Sequence, residues 1–400
     1  MGNKERRIKV PTTGVFDFPS LILGGKGKYV DKTELLYQLA NDADQQLFIS
    51  RPRRFGKSLM LSTLKAMFEG RRELFKGLAI DKLPWEGWTQ PTPVYSFTMG
   101  DVSGENYAEV KEELGVLVDG LFEQAGLSVP EKGTIPGKFR NFLVAAAAKS
   151  PTKKIVVLID EYDEPVAAFL DDLKTLRRVR KLLHDFYEKL KFSSDSIRFL
   201  MMTGVTKLTK FSVFSGLNHL TDISSFQQYA TLLGYTPDEL DGALRENVEE
   251  LGVQNGMDFA AAKKAILSWY DGYRFSPDSV ARVCNPVSLG SALKIGKLKG
   301  YWETTGRTTL VINRMANAGK LPADLENVPM LGYADAVIET PKEVCVFEFK
   351  YRKSAKAAIR QIRERGYADK WIGGERPVTL VGINFNPKKR NIDMPIIEKV

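Results

Sequence analysis

A chain of 400 residues with 43% hydrophobic side chains can bury one large core or two moderate ones, and the length favours two or three domains. No stretch reaches the roughly 18 uninterrupted apolar residues of a spanning helix, and the opening MGNKERRIKVPTT lacks the apolar core of a secretion signal, so no membrane partner and a cytoplasmic location are expected. A net charge of +9 points to polyanionic partners, whereas only two cysteines (Cys284, Cys345) and two histidines (His184, His219) exclude a disulfide framework and the usual zinc sites.

The chain opens with a glycine-rich turn, Gly24-Gly25-Lys26-Gly27-Lys28, followed by Tyr29-Val30-Asp31-Lys32-Thr33. No apolar strand precedes this turn and no Ser or Thr follows a Gly-Lys pair, so a phosphate-loop reading is rejected. Next come a short apolar strand at Leu47-Phe48-Ile49, the string Arg51-Pro-Arg-Arg-Phe-Gly-Lys57-Ser58, and a helix carrying Leu59, Leu61, Leu64, Met67 and Phe68 up to Gly70. Further strands are expected at Val94–Phe97, Ile155–Ile159 and Ile197–Gly204. The unbroken apolar run of the second suits a parallel strand covered on both faces. Helices are expected at 110–125, at the alanine run 145–148, and at 175–191. The last presents Arg177, Arg178, Arg180 and Lys181, and reads as a solvated face before it reads as a nucleic-acid stripe.

This alternation predicts an α/β domain over residues 1–232, built on a P-loop parallel sheet. Residues 233–302 turn mainly helical, with a helix at Phe259–Tyr270 and a loop at 271–275, and suggest a small lid. Residues 303–330 read as a linker. Residues 331–400 return to β, β, α, β, with elements at 331–340, 344–350, 354–371 and 378–385, and form a small α/β domain.

Phosphate binding needs converging backbone N–H groups at a helix N-terminus, a lysine that reaches the β and γ phosphates, and a hydroxyl on magnesium. Gly56, Lys57 and Ser58 supply the last three residues of that pattern, with Arg53, Arg54, Phe55 and Leu59 completing the loop. Arg51 stands where glycine is usual. A buried strand ending in Asp160-Glu161 puts two carboxylates where a P-loop sheet holds its magnesium and its water-activating group. Asp160 is then the magnesium residue and Glu161 the catalytic one, while Thr203 at a neighbouring strand end is placed to sense the γ-phosphate. With no zinc-type ligand set, a metal held by carboxylates points to Mg2+ as the cofactor beside ATP.

Five blocks in order, YVDKT, RPRRFGKSL, VVLIDEYDEP, TGVTKLTKFSVFSGLN and WYDGYRFS with CNPVSL, resemble the bacterial AAA-ATPase-like proteins that carry a C-terminal PD-(D/E)XK nuclease-type domain. The resemblance covers most of residues 10–300 and again 331–390. It implies that the arginine-rich loop is the normal P-loop of the family, that Lys57 and Ser58 bind ATP, and that Asp160 and Glu161 act as its Walker B pair. At the C-terminus it assigns Asp335 and the Glu348-x-Lys350 pair to the nuclease motif, carried by GYADAVIET, VCVFEFK, AIRQIRERGYADKW and VTLVGINF.

A strand places residues i and i+2 on one face, so Glu348 and Lys350 share a side while Phe347 and Phe349 face a core. Asp335 and Glu348 would hold magnesium, Lys350 would steady water or the scissile phosphate, and Gln361 would contact the site edge or the phosphate backbone. An isolated Glu-x-Lys is an ordinary ion pair; only the resemblance reverses that, and for the identity of the domain rather than its activity. Residues 331–400 hold 14 basic and 9 acidic side chains, net +5, which suits DNA or another nucleic acid. Ala334 replaces the motif proline, and the long helical segment that relatives place before the nuclease is largely missing. Two functions stay open: an ATPase coupled to nucleic-acid processing, or a nucleotide-dependent switch or binding module with an inactive nuclease-like domain. Either reading allows an oligomer.

Overall fold

The computed structural model describes the chain except residues 1–8, 12, 15–16, 26, 170–171, 206–218, 277, 302–335, 340–342, 352–353, 365–366, 370, 375 and 387–390. In chain order the elements begin α1 (Phe18–Gly24), α2 (Thr33–Ala40), β1 (Gln46–Ser50), α3 (Lys57–Phe68), β2 (Val94–Thr98), α4 (Tyr107–Gln124), α5 (Ile135–Lys149) and β3 (Ile155–Asp160). They continue with α6 (Glu164–Ala167), α7 (Leu173–Lys191), β4 (Ile197–Gly204), β5 (Thr221–Asp222), α8 (Pro237–Asp241), α9 (Arg245–Gln254), α10 (Phe259–Tyr270), β6 (Asp271–Tyr273), β7 (Val283–Cys284) and α11 (Pro286–Ile295). The C-terminal elements are β8 (Ala336–Glu339), β9 (Val344–Tyr351), α12 (Ala355–Glu364), β10 (Val378–Asn386), β11 (Asn391–Ile392) and β12 (Ile396–Lys399). Two compact units result: Met1–Arg245 with Tyr273–Pro286, and Glu246–Gly272 with Val287–Val400.

In the first unit, β2, β3, β4, β1 and β5 lie side by side in that order, every pairing parallel. Side chains alternate across a strand, and here both sides are apolar. Phe48, Val157, Ile159, Leu200 and Met202 join the core formed with α4, α5 and α7. Leu47, Ile49, Val156, Leu158, Phe199 and Met201 join a second core containing Leu36 and Leu39 of α2 and Leu61, Leu64 and Phe68 of α3. The sheet is thus the middle of three layers, as the apolar run in β3 required.

α7 buries Val179, Leu183, Phe186 and Leu190, three or four residues apart, and Asp172 caps it by accepting from Lys174 N and Thr175 N at 3.0 and 3.1 Å. Its exposed basic face is partly engaged within the unit. Arg178 lies 4.0 Å over the Tyr107 ring and Lys181 pairs with Asp185 at 3.1 Å.

The second unit contains α10 and most of α9 and α11, with Asn255 Nδ2 donating to Leu251 O and to Gly296 O at 2.7 and 2.9 Å. Its sheet runs β11-β10-β9-β8, with β12 also on β10. β9 and β10 are parallel, joined through α12, while β8, β11 and β12 run antiparallel to their neighbours. Val344, Val346, Val378 and Leu380 pack with Ile359 and Ile362 of α12.

Several expectations change in detail. Asp271–Tyr273 is a short strand where a loop was expected, and the helix expected to run to Trp371 stops at Glu364. β5, β7 and β11 have two residues each, too short to show a period, and the four-residue β12 was not foreseen either. The Gly24-Gly25 turn is a helix end: Gly25 adopts φ 57° as the C-cap of α1, a conformation glycine takes without a Cβ clash.

Candidate nucleotide and nuclease-like sites

β1 ends at Ser50, and the loop must turn back to start α3 at Lys57. It does so through left-handed backbone at Arg54 (φ 61°) and Gly56 (φ 89°), the first a strained conformation for a residue with a Cβ. The leading N–H groups of α3 have no acceptor within the helix, and together with its dipole they make an anion-binding turn.

Side chains in the loop divide sharply. The Phe55 ring is buried against Tyr273 and Phe275, centroids 4.7 and 5.3 Å away, so Phe55 can offer a ligand only its backbone. Arg51 is 1% exposed; it donates to Ser50 O (2.9 Å), Ser224 O (2.8 Å) and Tyr229 O (3.3 Å) and lies 3.9 Å over the Phe275 ring. Burial brings its guanidinium down to about 10, with Asp222 opposing. The residue in the place of the usual glycine is therefore a structural anchor.

Lys57 Nζ donates to the Arg51 and Pro52 carbonyls, each at 3.1 Å, which curls the ammonium over the loop. Burial lowers its pKa, and the charges of Asp160, Glu161 and Asp163 oppose that.

β4 lies between β1 and β3, so the loop and the acidic strand end are separated by one strand. Asp160 closes that gap: its carboxylate accepts from Ser58 Oγ on one oxygen and from Thr203 Oγ1 on the other, with Glu161 N also donating at 3.0 Å. Glu161 is left-handed (φ 53°), and its carboxylate lies over Gly100, where an added Cβ would stand 2.5 Å from Oε2. Burial raises its pKa, with help from Asp160 and Glu164 and against Arg53 and Lys57. Arg53 is ion-paired to Glu164, and Arg54 is exposed.

These residues fit a magnesium nucleotide. Mg2+ keeps several waters and takes one or two carboxylates plus phosphate oxygens, and Ser58 with Asp160 supplies one hydroxyl and one carboxylate. A protein cage is not needed, and among the described residues no three His, Cys, Asp or Glu side chains are grouped to form one.

In the second unit the face of β9 and β10 that carries the small apolar core becomes polar toward the strands' carboxyl ends. Glu348 pairs in register with Gly382, and Lys350 with Asn384. Glu348 Oε1 accepts from Lys350 Nζ and from Gln361 Nε2, and Gln361 Oε1 accepts from Lys350 Nζ, all at 2.6 Å. Gln361 also donates to Tyr367 OH at 3.2 Å. Gly382 permits this: a Cβ there would stand 2.4 Å from Ala355 O, so any side chain would lift α12 away. Asp335 lies outside the described residues.

The family described as "Predicted AAA-ATPase" matches residues 12–214, half of the chain. The chain belongs to this AAA-ATPase-like family. The PD-(D/E)XK nuclease superfamily matches residues 321–394, so the AAA-ATPase-like part is followed by a nuclease-like domain. A protein of Azotobacter chroococcum mcd 1, described as "Uncharacterized protein in vnfD 5'region", is 32% identical over 80% of the chain, which spans 59% of that relative's length. The Aeropyrum pernix ORC2 protein, solved in ADPNP–ADP complexes, aligns over 80% of each chain at 13% identity with a TM-score of 0.28, a likeness too loose to bear on either site. Among the described residues no helix is long and apolar enough to cross a membrane.

Three groups in this AAA-ATPase-like chain escape a reading of the sequence: Glu164 beside Arg53, Gly100 beneath Glu161, and Gly382 beneath α12. Glu164 carried a local signal, since it follows Glu161 by three residues in DEYDEP.

Proposed function

We propose that the chain binds Mg-ATP at the Arg51–Ser58 loop and hydrolyses it, with residues 1–232 as the ATPase domain, 233–302 as its lid, 303–330 as a linker and 331–400 as a nuclease-like domain acting on nucleic acid. The observation that carries this is the grip of Ser58 and Thr203 on Asp160. It joins the phosphate loop, the intervening strand and the acidic strand through one carboxylate.

In this reading Lys57, the loop amides and the backbone of Phe55 and Leu59 hold the phosphates, with Arg53 and Arg54 adding positive charge. Ser58 and Asp160 would hold the magnesium, which would supply positive charge to the phosphate oxygens. Glu161 orients the attacking water. Thr203 stands where a γ-phosphate is sensed. Asp335 and Glu348 bind a second magnesium, and Lys350 steadies the reacting phosphate.

The test is phosphate release from ATP with and without magnesium and DNA. Wild type should turn over only with magnesium, Lys57→Ala should lose nucleotide binding, and Glu161→Gln should bind but fall at least about a hundredfold in rate. Equal, negligible turnover in all three defeats the enzyme reading. A second reading, a nucleotide-dependent switch with a silent nuclease-like domain, draws support from Glu348, whose Oε1 is already shared by Lys350 and Gln361. Magnesium-dependent DNA cleavage that Lys350→Ala abolishes would exclude it.

A further inference from the structure

The phosphate loop carries Arg53, Arg54 and Lys57, and the three cations are engaged differently. Lys57 turns to backbone carbonyls and Arg54 faces solvent. Arg53 reaches across to the far side of the site and pairs with Glu164, their side chains one-third and one-fifth exposed. Glu164 is tied to the catalytic strand end, because its N–H donates to Glu161 O at 2.9 Å. Arg53 therefore sits, through Glu164, on the turn that carries the catalytic Glu161, and on the same loop as Lys57.

A guanidinium pairs equally well with a carboxylate or a phosphate, in both cases through a planar two-donor fork. Arg53 meets Glu164 through Nη2 alone, and Nη2 belongs to both two-donor edges of the guanidinium, so a phosphate that takes either edge draws on the group that holds Glu164. A nucleotide that ends at the β-phosphate leaves Arg53 with Glu164, whereas one with a γ-phosphate offers a second anion of higher charge. We propose that Arg53 clamps the terminal phosphate and that Glu164 is the anion competing for it, so that this exchange sets the preference of the site for ATP over ADP. The inference rests on the nucleotide reading above and gives Glu164 a part in it. A ligand shifts such an exchange only by its differential affinity for the two states, so both residues should act on one nucleotide and spare the other.

The experiment is calorimetric titration of the full chain with Mg-ADP and with the magnesium complex of the β,γ-imido analogue of ATP, for wild type, Arg53→Ala, Arg53→Lys and Glu164→Gln. Arg53→Ala should weaken the ATP analogue by about ten- to a hundredfold, the loss of a charge-assisted pair, and weaken ADP far less. Arg53→Lys should recover part of that loss. Glu164→Gln, nearly isosteric and so usable even if Arg53→Ala unfolds, should tighten the analogue and not ADP. Equal effects on both nucleotides, or none from Glu164→Gln, overturn the proposal. Failure of wild type to bind either nucleotide overturns the underlying reading instead.

Discussion

The nucleotide site and the Glu348 site are built from the same kinds of group and arrange them oppositely. Asp160 accepts from two hydroxyls while Lys57 turns to carbonyls, so anion and cation are held apart. Glu348, 3% exposed, accepts directly from Lys350, and Gln361 bonds to both. Charges kept apart and already oriented are ready for a ligand of opposite sign. Charges joined in a buried pair neutralise each other, and a metal must first part them. Asp160 and Lys57 are set for binding, whereas the Glu348–Lys350 pair must be opened.

The sharpest way to break this comparison is Asp160→Ala, which leaves the Ser58 and Thr203 hydroxyls without their acceptor. Turnover, followed by phosphate release, should fall by about a hundred- to a thousandfold. Turnover near the wild-type rate would mean that the gripped carboxylate is only packing.

Lys350→Met should cost about 3–5 kcal/mol in urea unfolding, because it takes away a cation bonded to a buried carboxylate. Adding Glu348→Gln should recover most of that, since the charge goes with its partner. A Lys350→Met chain as stable as wild type would show that the pair is not closed in solution.

The smallest effect is expected from Gly382→Ala. Crowding Ala355 O should cost about 1–3 kcal/mol, seen as a lower midpoint in thermal unfolding. It should also loosen the hold of Gln361 on Glu348 without touching nucleotide turnover.

What the sequence made legible follows the range of each interaction. Gly56-Lys57-Ser58 and Asp160-Glu161 are local strings next to apolar runs, so loop and acidic pair could be read directly. Thr203 could be placed at a strand end, yet its bond to Asp160 depends on β4 lying between β1 and β3, which is a matter of strand order. Arg51 reads only as a missing glycine until Ser224 and Tyr229, far along the chain, are seen to accept its protons. A glycine inside a strand signals close approach, but at Gly382 nothing local says that the visitor is the first turn of α12. The two-residue β11 shows no alternation at all, and Gln361 reads as contacting the site edge or the phosphate backbone because its partners, Glu348 and Lys350, lie on another element.

The guanidinium of Arg51 has one further consequence. It holds together the end of β1, the carbonyls of Ser224 and Tyr229, and the ring of Phe275, while Phe55 on the same loop packs against Tyr273 and Phe275. Residues 273–275 and the phosphate loop are thus tied by two separate contacts, one through Arg51 and one through Phe55. A glycine at position 51 would remove one of these two ties and leave the packing of Phe55 to hold loop and ring alone.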